Sequence, residues 1–538
     1  MHRLRSMPLD RSRNCYFCQA GTITGLSGVT PGRNVEIDPT LTVGRTDSAG
    51  DDVSGPLERG PVDRRLGVSA RWGITPNLSL NGAVNPDFSQ IDADVVQIAV
   101  NRRFALFYPE KRPFFLEGAD FFVTPMRAVY SRTVADPEWG AKLTGKAGAN
   151  AIGAIVARDR ETNLLFPGPQ GSSSTTLDQP YTTGIVRYRR DIGEASALGV
   201  LLTDREGDGY HNRVGGVDGY LRLSERDTLR VQALRSDTRY PRAVAQAFGQ
   251  SEDAFTGWST SVIYDHNERN WNWWSSFLER SSRFRADSGF MPQVGYRSGE
   301  VGAEKVVWAD GAHWFNRLRF DVNLRREETD RGEFQFDEVY AGARYEGPLQ
   351  STLALDTSRS RARYAGIDYD NDWVELFFNF RPTGNVTSSI DVSYSHAFDY
   401  DNLRPGRAFA VQPGVTWNIG RHLYLQLDHA YERFTRDGDW LYRANVTQLR
   451  AVYQFNVRFF VRAIVQRAVI NQNVRLYGPA LTDPGSDELL GQYLMAYKVN
   501  PQTVVFFGYS DGREGTDVRA RTLQNRTVFL KLGYAWVL

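Results

Sequence analysis

Long hydrophobic runs are missing from this 538-residue sequence. No stretch of about 18 apolar residues occurs, which excludes a transmembrane helix of ordinary length. Mean hydropathy is −0.44, a value usual for soluble proteins. Membrane β-strands also average to such values, because an apolar face alternates with a polar one. The missing runs therefore exclude a helical membrane protein and leave soluble β-proteins and membrane barrels open.

Cysteine is nearly missing as well. Cys15 and Cys18 form a single C-x-x-C pair near the start, and one pair without a nearby histidine is weak support for zinc or redox chemistry. The rest of the chain has no cysteine, as expected of an exported protein in an oxidising compartment.

An excess of charge of one sign is missing too. Net charge is +1, so no overall field favours nucleic acid over other partners. The seven histidines are scattered, and no Gly-x-Ser-x-Gly elbow occurs. We therefore expect no nucleic-acid partner, no cofactor and no enzymatic activity.

Period-two alternation runs through nearly the whole chain, in segments of about 10 to 14 residues. In residues 317–325 and 423–432, apolar side chains occupy one face and charged side chains the other. Charges in the middle of a strand are typical of a wet barrel lumen. The residues predicted to face the lumen are Arg319, Asp321, Arg325 and Asp428.

Strand length and aromatic placement distinguish a membrane barrel from a soluble sandwich or propeller. Soluble strands average about five or six residues, whereas a tilted membrane strand needs about 9 to 11. Aromatic residues at strand ends are typical of a membrane-interface girdle, and we assign Trp271, Trp273 and Trp536 to it. The sequence predicts an all-β, large antiparallel transmembrane β-barrel.

The connections alternate in length, as in outer-membrane barrels. Eleven tight turns alternate with longer polar loops such as residues 161–180. Eleven hairpins give about 22 strands, and one further strand near residues 34–44 and a last one near 526–538 bring the prediction to about 24, within a range of 22 to 26. An even number places both termini on the short-turn side, which we assign to the periplasm of a Gram-negative cell. The final strand, residues 527–538, resembles the C-terminal signal read by the barrel-insertion machinery.

Five motifs carry a family resemblance. They are "GTITGLSGVTPGRNVEIDPTLT" (21–42), "NPDFSQIDADVV" (85–96), "FYPEKRPFFLEGADFF" (107–122), "YSR" (130–132) and "GAKLTGKAG" (140–148). In this order they resemble an uncharacterised bacterial outer-membrane barrel domain, which usually follows a β-sandwich similar to family-nine carbohydrate-binding modules. The resemblance implies a barrel over residues 34–538. Residues 1–33 are then an N-terminal remnant or linker, with the signal peptide and the sandwich missing.

The segment from residue 85 to residue 132 breaks the strand rhythm. It is too apolar for a solvated loop and too charged for a core strand, and Pro109 and Pro113 keep it out of a helix or an inner strand. We interpret it as a plug or inner-wall segment, with a structure at the rim as the alternative. The residues predicted to pack or pair inside the lumen are Glu110, Lys111, Arg112, Phe114, Phe115, Glu117 and Asp120.

A short acidic set precedes this segment. Asp87, Asp92 and Asp94 offer closely spaced oxygen ligands of the kind that calcium prefers. They do not match the twelve-residue calcium loop, so a solvated acidic turn is the alternative interpretation.

Three functions remain open from the sequence. The first is transport, export or uptake of a bulky substrate, glycan or anionic, across the outer membrane. The second is a membrane anchor or platform for carbohydrate binding at the cell surface, and the third is a soluble secreted β-protein. The partners expected for the first two are outer-membrane lipid, the barrel-insertion machinery, and a polysaccharide or another bulky molecule.

Overall fold

A computed structural model describes residues 34–50, 56–88, 97–98, 100–309, 313–477, 485–500, 503–515 and 521–538. The strands are β1 (Val35–Ser48), β2 (Val62–Thr75), β3 (Leu78–Val84), β4 (Pro137–Ala147), β5 (Asn150–Asp159), β6 (Thr162–Pro167), β7 (Ser172–Leu177), β8 (Tyr181–Ile192), β9 (Ser196–Gly207), β10 (Tyr210–Arg222), β11 (Asp227–Arg239), β12 (Phe255–Asn267), β13 (Trp271–Arg280), β14 (Tyr296–Trp308), β15 (Arg317–Thr329), β16 (Phe334–Gly347), β17 (Ser351–Tyr364), β18 (Ile367–Asp370), β19 (Trp373–Thr383), β20 (Val386–Asp399), β21 (Arg404–Ile419), β22 (Leu423–Arg436), β23 (Asp439–Gln454), β24 (Phe459–Gln472), β25 (Gly485–Lys498), β26 (Val504–Gly515), β27 (Thr522–Gly533) and β28 (Trp536–Val537). The short helices are α1 (Pro113–Leu116), α2 (Arg242–Ala247) and α3 (Val474–Tyr477). Within the described residues, no helix is long and apolar enough to cross a membrane.

The strands form one closed antiparallel wall. Each wall strand pairs with the next along the chain, and β1 pairs with β27 in the register Leu41↔Leu532, which closes the sheet on itself. Of the 26 strands in this sheet, β18 and β28 are short extensions, which leaves 24 wall strands. The prediction of an all-β transmembrane barrel of about 24 strands is confirmed.

The two faces of the wall differ as the alternation predicts. On β9, the outward side chains of Leu198, Val200 and Leu202 are 47%, 41% and 53% exposed, whereas Leu201 between them is fully buried. An exposed apolar outer face is the surface that contacts lipid in a membrane barrel. The inner face of β9 is buried because other parts of the chain fold against it from inside.

The two rims of the barrel are identified by the connections that lie at each of them. The predicted turns at 76–77, 148–149 and 420–421 join neighbouring strands at the short-turn rim. Both ends of the wall meet there too, because Glu36 pairs with Val537. The opposite, long-loop rim also contains tight turns, such as Asp208–Gly209, where Gly209 adopts a φ of 63° that suits glycine in a hairpin turn.

Three segments fold inward from the long-loop rim. They are the described residues between β3 and β4 (85–88, 97–98 and 100–136), the β6–β7 hairpin between β5 and β8, and residues 281–295 between β13 and β14. The expected polar loop at 161–180 is therefore wrong in part, since it forms this hairpin and buries Leu164 and Phe166. A core cluster joins the first and third segments to inward side chains of β5 and β8–β11, among them Ile155, Ile185 and Leu201.

Candidate functional site: the segments inside the barrel

The "FYPEKRPFFLEG" stretch folds locally around its two prolines. Pro113 begins α1, so the expectation that the prolines exclude any helix is wrong at this point. Proline is tolerated at the first helical position, because the N–H that it lacks would have no partner there. Gly118 then reverses the chain with a φ of 65°, and a 3-10 turn at Ala119–Phe122 follows.

An ion pair organises this stretch from within. The Arg112 guanidinium donates from Nε to Glu110 Oε1 at 2.9 Å and from Nη2 to Glu110 Oε2 at 2.7 Å. The same guanidinium donates to the carbonyl oxygens of Val134 at 2.6 Å and Ser131 at 2.9 Å. It thereby ties residues 110–112 to residues 131–134.

The Glu110 carboxylate is held as an anion. It also accepts hydrogen bonds from the Ser131 hydroxyl at 2.7 Å and from the backbone N–H groups of Lys111 and Arg112, both at 2.9 Å. Burial alone would raise the pKa of Glu110, but Arg112 and Ser131 outweigh it and lower the pKa to about 2. The charge that sequence analysis placed in this stretch therefore has a partner inside the barrel.

Aromatic side chains pack the segment onto the inner wall. Phe115 is buried against Val134 and Ala157, and Phe122 is buried in the core cluster of β5 and β8–β11. The wall makes room for Phe122 at Gly153, where a Cβ atom would lie 2.9 Å from the ring. Full burial of a Phe side chain stabilises a fold by about 1.5–3 kcal/mol.

Polar contacts between the wall and the segment add to this packing. Met126 N–H donates to Gln232 Oε1 at 2.7 Å, and the Tyr181 hydroxyl donates to the Thr133 carbonyl oxygen at 2.8 Å. On the same side, Asp159 accepts from the backbone N–H groups of residues 135 and 136, and Lys142 donates to the carbonyl oxygens of residues 114 and 117. The segment is therefore attached to β4–β11 by both apolar and polar contacts.

The other predicted residues of the stretch are only partly buried or are exposed. Glu117 pairs with Arg71 of β2 at 3.0 Å, and Phe114 packs edge-on against Phe115 with ring centroids 5.1 Å apart. Lys111 is half-buried, and Asp120 is exposed.

Residues 100–105 carry the chain across the lumen. Arg102 pairs with Glu432 of β22 at 3.2 Å, and the Ala105 N–H donates to the Ser172 hydroxyl oxygen of β7, in the inward hairpin, at 2.8 Å. β22 is the nineteenth wall strand, and β9, which belongs to the core cluster that buries Phe122, is the seventh. In a closed wall of 24 strands, these two strands are diametrically opposite. Residues 100–136 therefore bridge opposite sides of the barrel.

A second inward segment, residues 281–295, supports the first. Asp287 accepts hydrogen bonds from the hydroxyls of Tyr210 at 2.8 Å and Tyr240 at 3.2 Å, and burial raises the pKa of its carboxyl group. The two segments are joined by backbone hydrogen bonds, from Tyr130 N–H to Ser288 O at 2.8 Å and from Phe290 N–H to the residue 127 carbonyl at 3.0 Å. Sequence analysis missed this segment, although "RSSRFRADSGF" has the same mixture of aromatic and charged residues.

The predicted lumen-facing wall residues lie opposite the lipid-facing side chains. Along β15, Phe320, Val322 and Leu324 are 49%, 57% and 53% exposed on the outer face. The inward residues make polar contacts: Arg319 with Glu304, Arg325 with Glu327, and Asp428 with Gln426.

Strand register also brings together carboxylates that are far apart in sequence. Glu304 pairs directly with Asp321, and Asp356 pairs with Glu375, so a carboxylate band crosses the inner wall. The members of this band are Glu304, Asp321, Asp356, Glu375, Asp391 and Asp428.

The predicted girdle residues lie on the outer face near the short-turn rim. Trp271, Trp273 and Trp536 are 48%, 42% and 51% exposed. Trp273 stacks on His266 with ring centroids 3.5 Å apart, and the Lys305 ammonium lies 4.4 Å from the Trp271 ring centroid.

Of the calcium candidates, Asp87 alone is described, and Asp92 and Asp94 lie outside the described residues. Asp87 accepts a hydrogen bond from Thr42 at 3.0 Å and pairs with Lys531 at 3.3 Å. In the described part of the chain, no group of three or more acidic, histidine or cysteine side chains is arranged to hold a metal ion. The calcium interpretation stays a prediction.

Comparisons with known proteins agree with the motif-based resemblance. Residues 58–165 match the family model described as "Domain of unknown function (DUF5916)", a range that contains four of the five motifs. A search of curated proteins finds no match.

Solved structures with a similar course of the chain include two receptors and an iron transporter. The ferric-catecholate import receptor Fiu of E. coli is 8% identical, with 94% of this chain and 82% of that chain covered at a TM-score of 0.46. A mutant of the ferric enterobactin receptor of Pseudomonas aeruginosa is 10% identical, with coverage of 93% and 80% at a TM-score of 0.44. The FrpB iron transporter of Neisseria meningitidis is 11% identical, with coverage of 94% and 83% at a TM-score of 0.44.

Proposed function

We propose that this protein moves a bulky substrate across the outer membrane through the barrel lumen, and that residues 100–136 are the plug that closes the lumen between transport events. The observation that carries the proposal is the bridge between opposite walls, from Glu432 on β22 to Gln232 on β11. The long-loop rim then faces the outside of the cell and the short-turn rim the periplasm.

The size of the barrel supports a need for closure. Twenty-four strands spaced about 4.8 Å apart and tilted by about 40° enclose a barrel roughly 48 Å across between backbones. Inner side chains cannot fill a lumen of that width, and an open pore of this size would let small solutes leak through. A segment that crosses the lumen would block that leak.

The plug is attached unequally to the two sides. Toward β4–β11 it buries Phe115 and Phe122, and its backbone makes hydrogen bonds with wall side chains. Toward β20–β22 it relies on Asn101 and on Arg102, whose side chain is 49% exposed. Few buried contacts mean a low free energy of local opening, so the arm at residues 100–105 is the part that can move first.

Single-channel conductance of the refolded protein in a planar bilayer tests the proposal. The plug can be removed cleanly, because Asn85 N–H donates to the Glu138 carbonyl oxygen at 2.6 Å. A short Gly-Ser linker can therefore replace residues 86–136 and join β3 to β4 as a hairpin. A matched control shortens the connection 516–520 between β26 and β27 and leaves the plug in place.

We expect the intact protein and the control to be closed, and the plug-less variant to conduct strongly. An intact protein that conducts as well as the plug-less variant would refute the plug. So would a plug-less variant that inserts, migrates as a folded barrel on a detergent gel, and stays closed. Carbohydrate binding, suggested by the family resemblance, stays a prediction.

A further inference from the structure

The barrel wall is split between β18 and β20 at the long-loop rim. β19 pairs with β20 only as far as Trp373↔Ser395. Beyond that point β17 continues with β18, from Arg361↔Asp370 to Tyr364↔Ile367. Within the described residues, no ladder joins β18 to β20. We call this interruption the seam.

Aromatic side chains fill the seam in place of backbone hydrogen bonds. Tyr369 of β18 stacks on Phe398 of β20 with ring centroids 4.4 Å apart, and both side chains are buried. Tyr364, Tyr400 and Ala362 belong to the same cluster. Ring packing holds the two edges together, but it does not impose the strict register of a hydrogen-bonded ladder.

One side-chain amide from inside the barrel holds the β20 edge of the seam, and a second holds the β17–β18 hairpin that carries the other edge. Asn101 of the plug donates to the Phe398 carbonyl oxygen at 2.8 Å and accepts from Tyr400 N–H at 3.0 Å. Gln170, in the loop between β6 and β7, donates to the carbonyl oxygen of residue 363 at 3.2 Å and accepts from Ala365 N–H at 3.0 Å. Each amide serves one backbone donor and one acceptor, and Asn101 does so in place of the strand that β20 lacks at the seam.

A cavity of about 750 Å³ lies on the outer face at the seam. Tyr394 at its edge is 43% exposed and continues the lipid-facing row of β20 that includes Ile390. Polar side chains of both signs line the rest of the cavity, among them Arg361, Arg407, Arg436, His396, Asp368 and Asp370. No hydrogen bond or ion pair involves the Arg407 guanidinium within the described part of the chain.

We propose that the seam is a lateral portal between the lumen and the adjoining lipid leaflet, and that Asn101 and Gln170 hold it shut. The inference rests on the proposed function, because Asn101 belongs to the plug and its movement would release one edge. The substrate class that fits is an amphiphile with an apolar tail and a polar headgroup. A wholly polar solute would lose its hydration by entering lipid, whereas an amphiphile can keep its tail in lipid while its headgroup occupies the cavity.

Reagent access to a buried thiol at the seam tests the portal. Ala362 is 4% exposed and close to cysteine in size, so Ala362→Cys is a mild reporter in a Cys15→Ser, Cys18→Ser background. The protein in lipid vesicles is treated either with an alkyl-chain maleimide that resides in the bilayer or with a charged, water-soluble maleimide. Each reaction is measured with and without Asn101→Ala plus Gln170→Ala.

We expect the double amide variant to react with the alkyl maleimide about tenfold faster or more, as expected when hydrogen bonds that hold a buried site closed are lost. A matched control is Gln448→Ala, which removes a lumenal amide that lies away from the seam and is bonded to Gln466 at 3.0 Å. This variant should leave the rate unchanged.

A second experiment cross-links Asp370→Cys to His396→Cys across the seam with a bismaleimide, in a background without the reporter thiol. The cross-link should abolish entry of a brominated lysolipid, measured as quenching of a fluorophore inside the lumen.

Two results would overturn the portal. One is an unchanged alkyl-maleimide rate in a double variant that still migrates as a folded barrel. The other is a faster reaction with the water-soluble maleimide alone, which would mean that the plug loosened without lateral opening. Neither result touches the proposed function, which stands or falls on the conductance of the plug-less variant.

Discussion

Arg112 offers the sharpest test of how the plug is held. Its side chain and that of Glu110 are 12% and 11% exposed, and the guanidinium makes two hydrogen bonds to the carboxylate and two to backbone carbonyl oxygens. Arg112→Ala leaves a buried carboxylate without its counter-ion and two carbonyl groups without a donor. Breaking a buried, hydrogen-bonded ion pair by removal of one partner costs about 3–5 kcal/mol.

The loss should appear as local release of the segment, because the barrel wall does not depend on this ion pair. A cost of about 3–5 kcal/mol corresponds to a population of the released state that is greater by roughly two to nearly four orders of magnitude. Hydrogen exchange measures this population directly. The amides of Phe115 and Leu116, which donate to the Arg112 carbonyl oxygen, and of Met126, which donates to Gln232, should exchange faster by that factor.

Arg132→Ala is the matched control. Arg132 lies in the same segment and donates to the Pro109 carbonyl oxygen at 3.1 Å, but this contact is exposed. Its removal should change the same exchange rates less than about fivefold. Equal exchange in wild type and Arg112→Ala would refute the reasoning, and so would an equal increase in both variants.

Other perturbations test the remaining features. The lowered pKa of Glu110 means that its charge stabilises the docked plug above pH about 4.5 and that this contribution is lost as the pH falls toward about 2; Glu110→Gln should remove this pH dependence of hydrogen exchange. Phe122→Ala should destabilise docking by about 3–5 kcal/mol, measured as faster exchange, whereas a change below about 1 kcal/mol would contradict its anchoring role. In the plug-less variant, Asp356→Asn with Glu375→Gln should reduce the preference for cations in reversal-potential measurements, since both carboxylates belong to the inner band; an unchanged reversal potential would contradict that assignment.

Much of the barrel was predictable because its signals are local. Period-two alternation separates lipid-facing from inward side chains within a single strand, and turns mark where strands end. The outward row Phe320, Val322 and Leu324 and the exposed Trp271 therefore follow from the sequence alone. The count of 24 wall strands follows from the spacing of turns in the same way.

The inner segments could be predicted only in part. The aromatic and charged stretch around Glu110 differs in composition from every strand, which identified it as exceptional. The partner of Arg112 is local, since Glu110 lies two residues away. The wall contacts of Met126 and Phe122 were not predictable, because they come from strands far along the chain. The segment at 281–295 was missed although its composition is similar, because it belongs to none of the motifs that carry the family resemblance.

The sequence by itself determined the class of fold, the two faces of the wall and the exceptional stretch, because alternation, turns and composition act between near neighbours. Only the tertiary structure decided which residues contact each other inside the barrel. Asn101 meets Phe398 across 297 residues and Gln170 meets Arg363 across 193. Such contacts depend on closure of the wall and on strand register, which bring together groups that no local pattern relates.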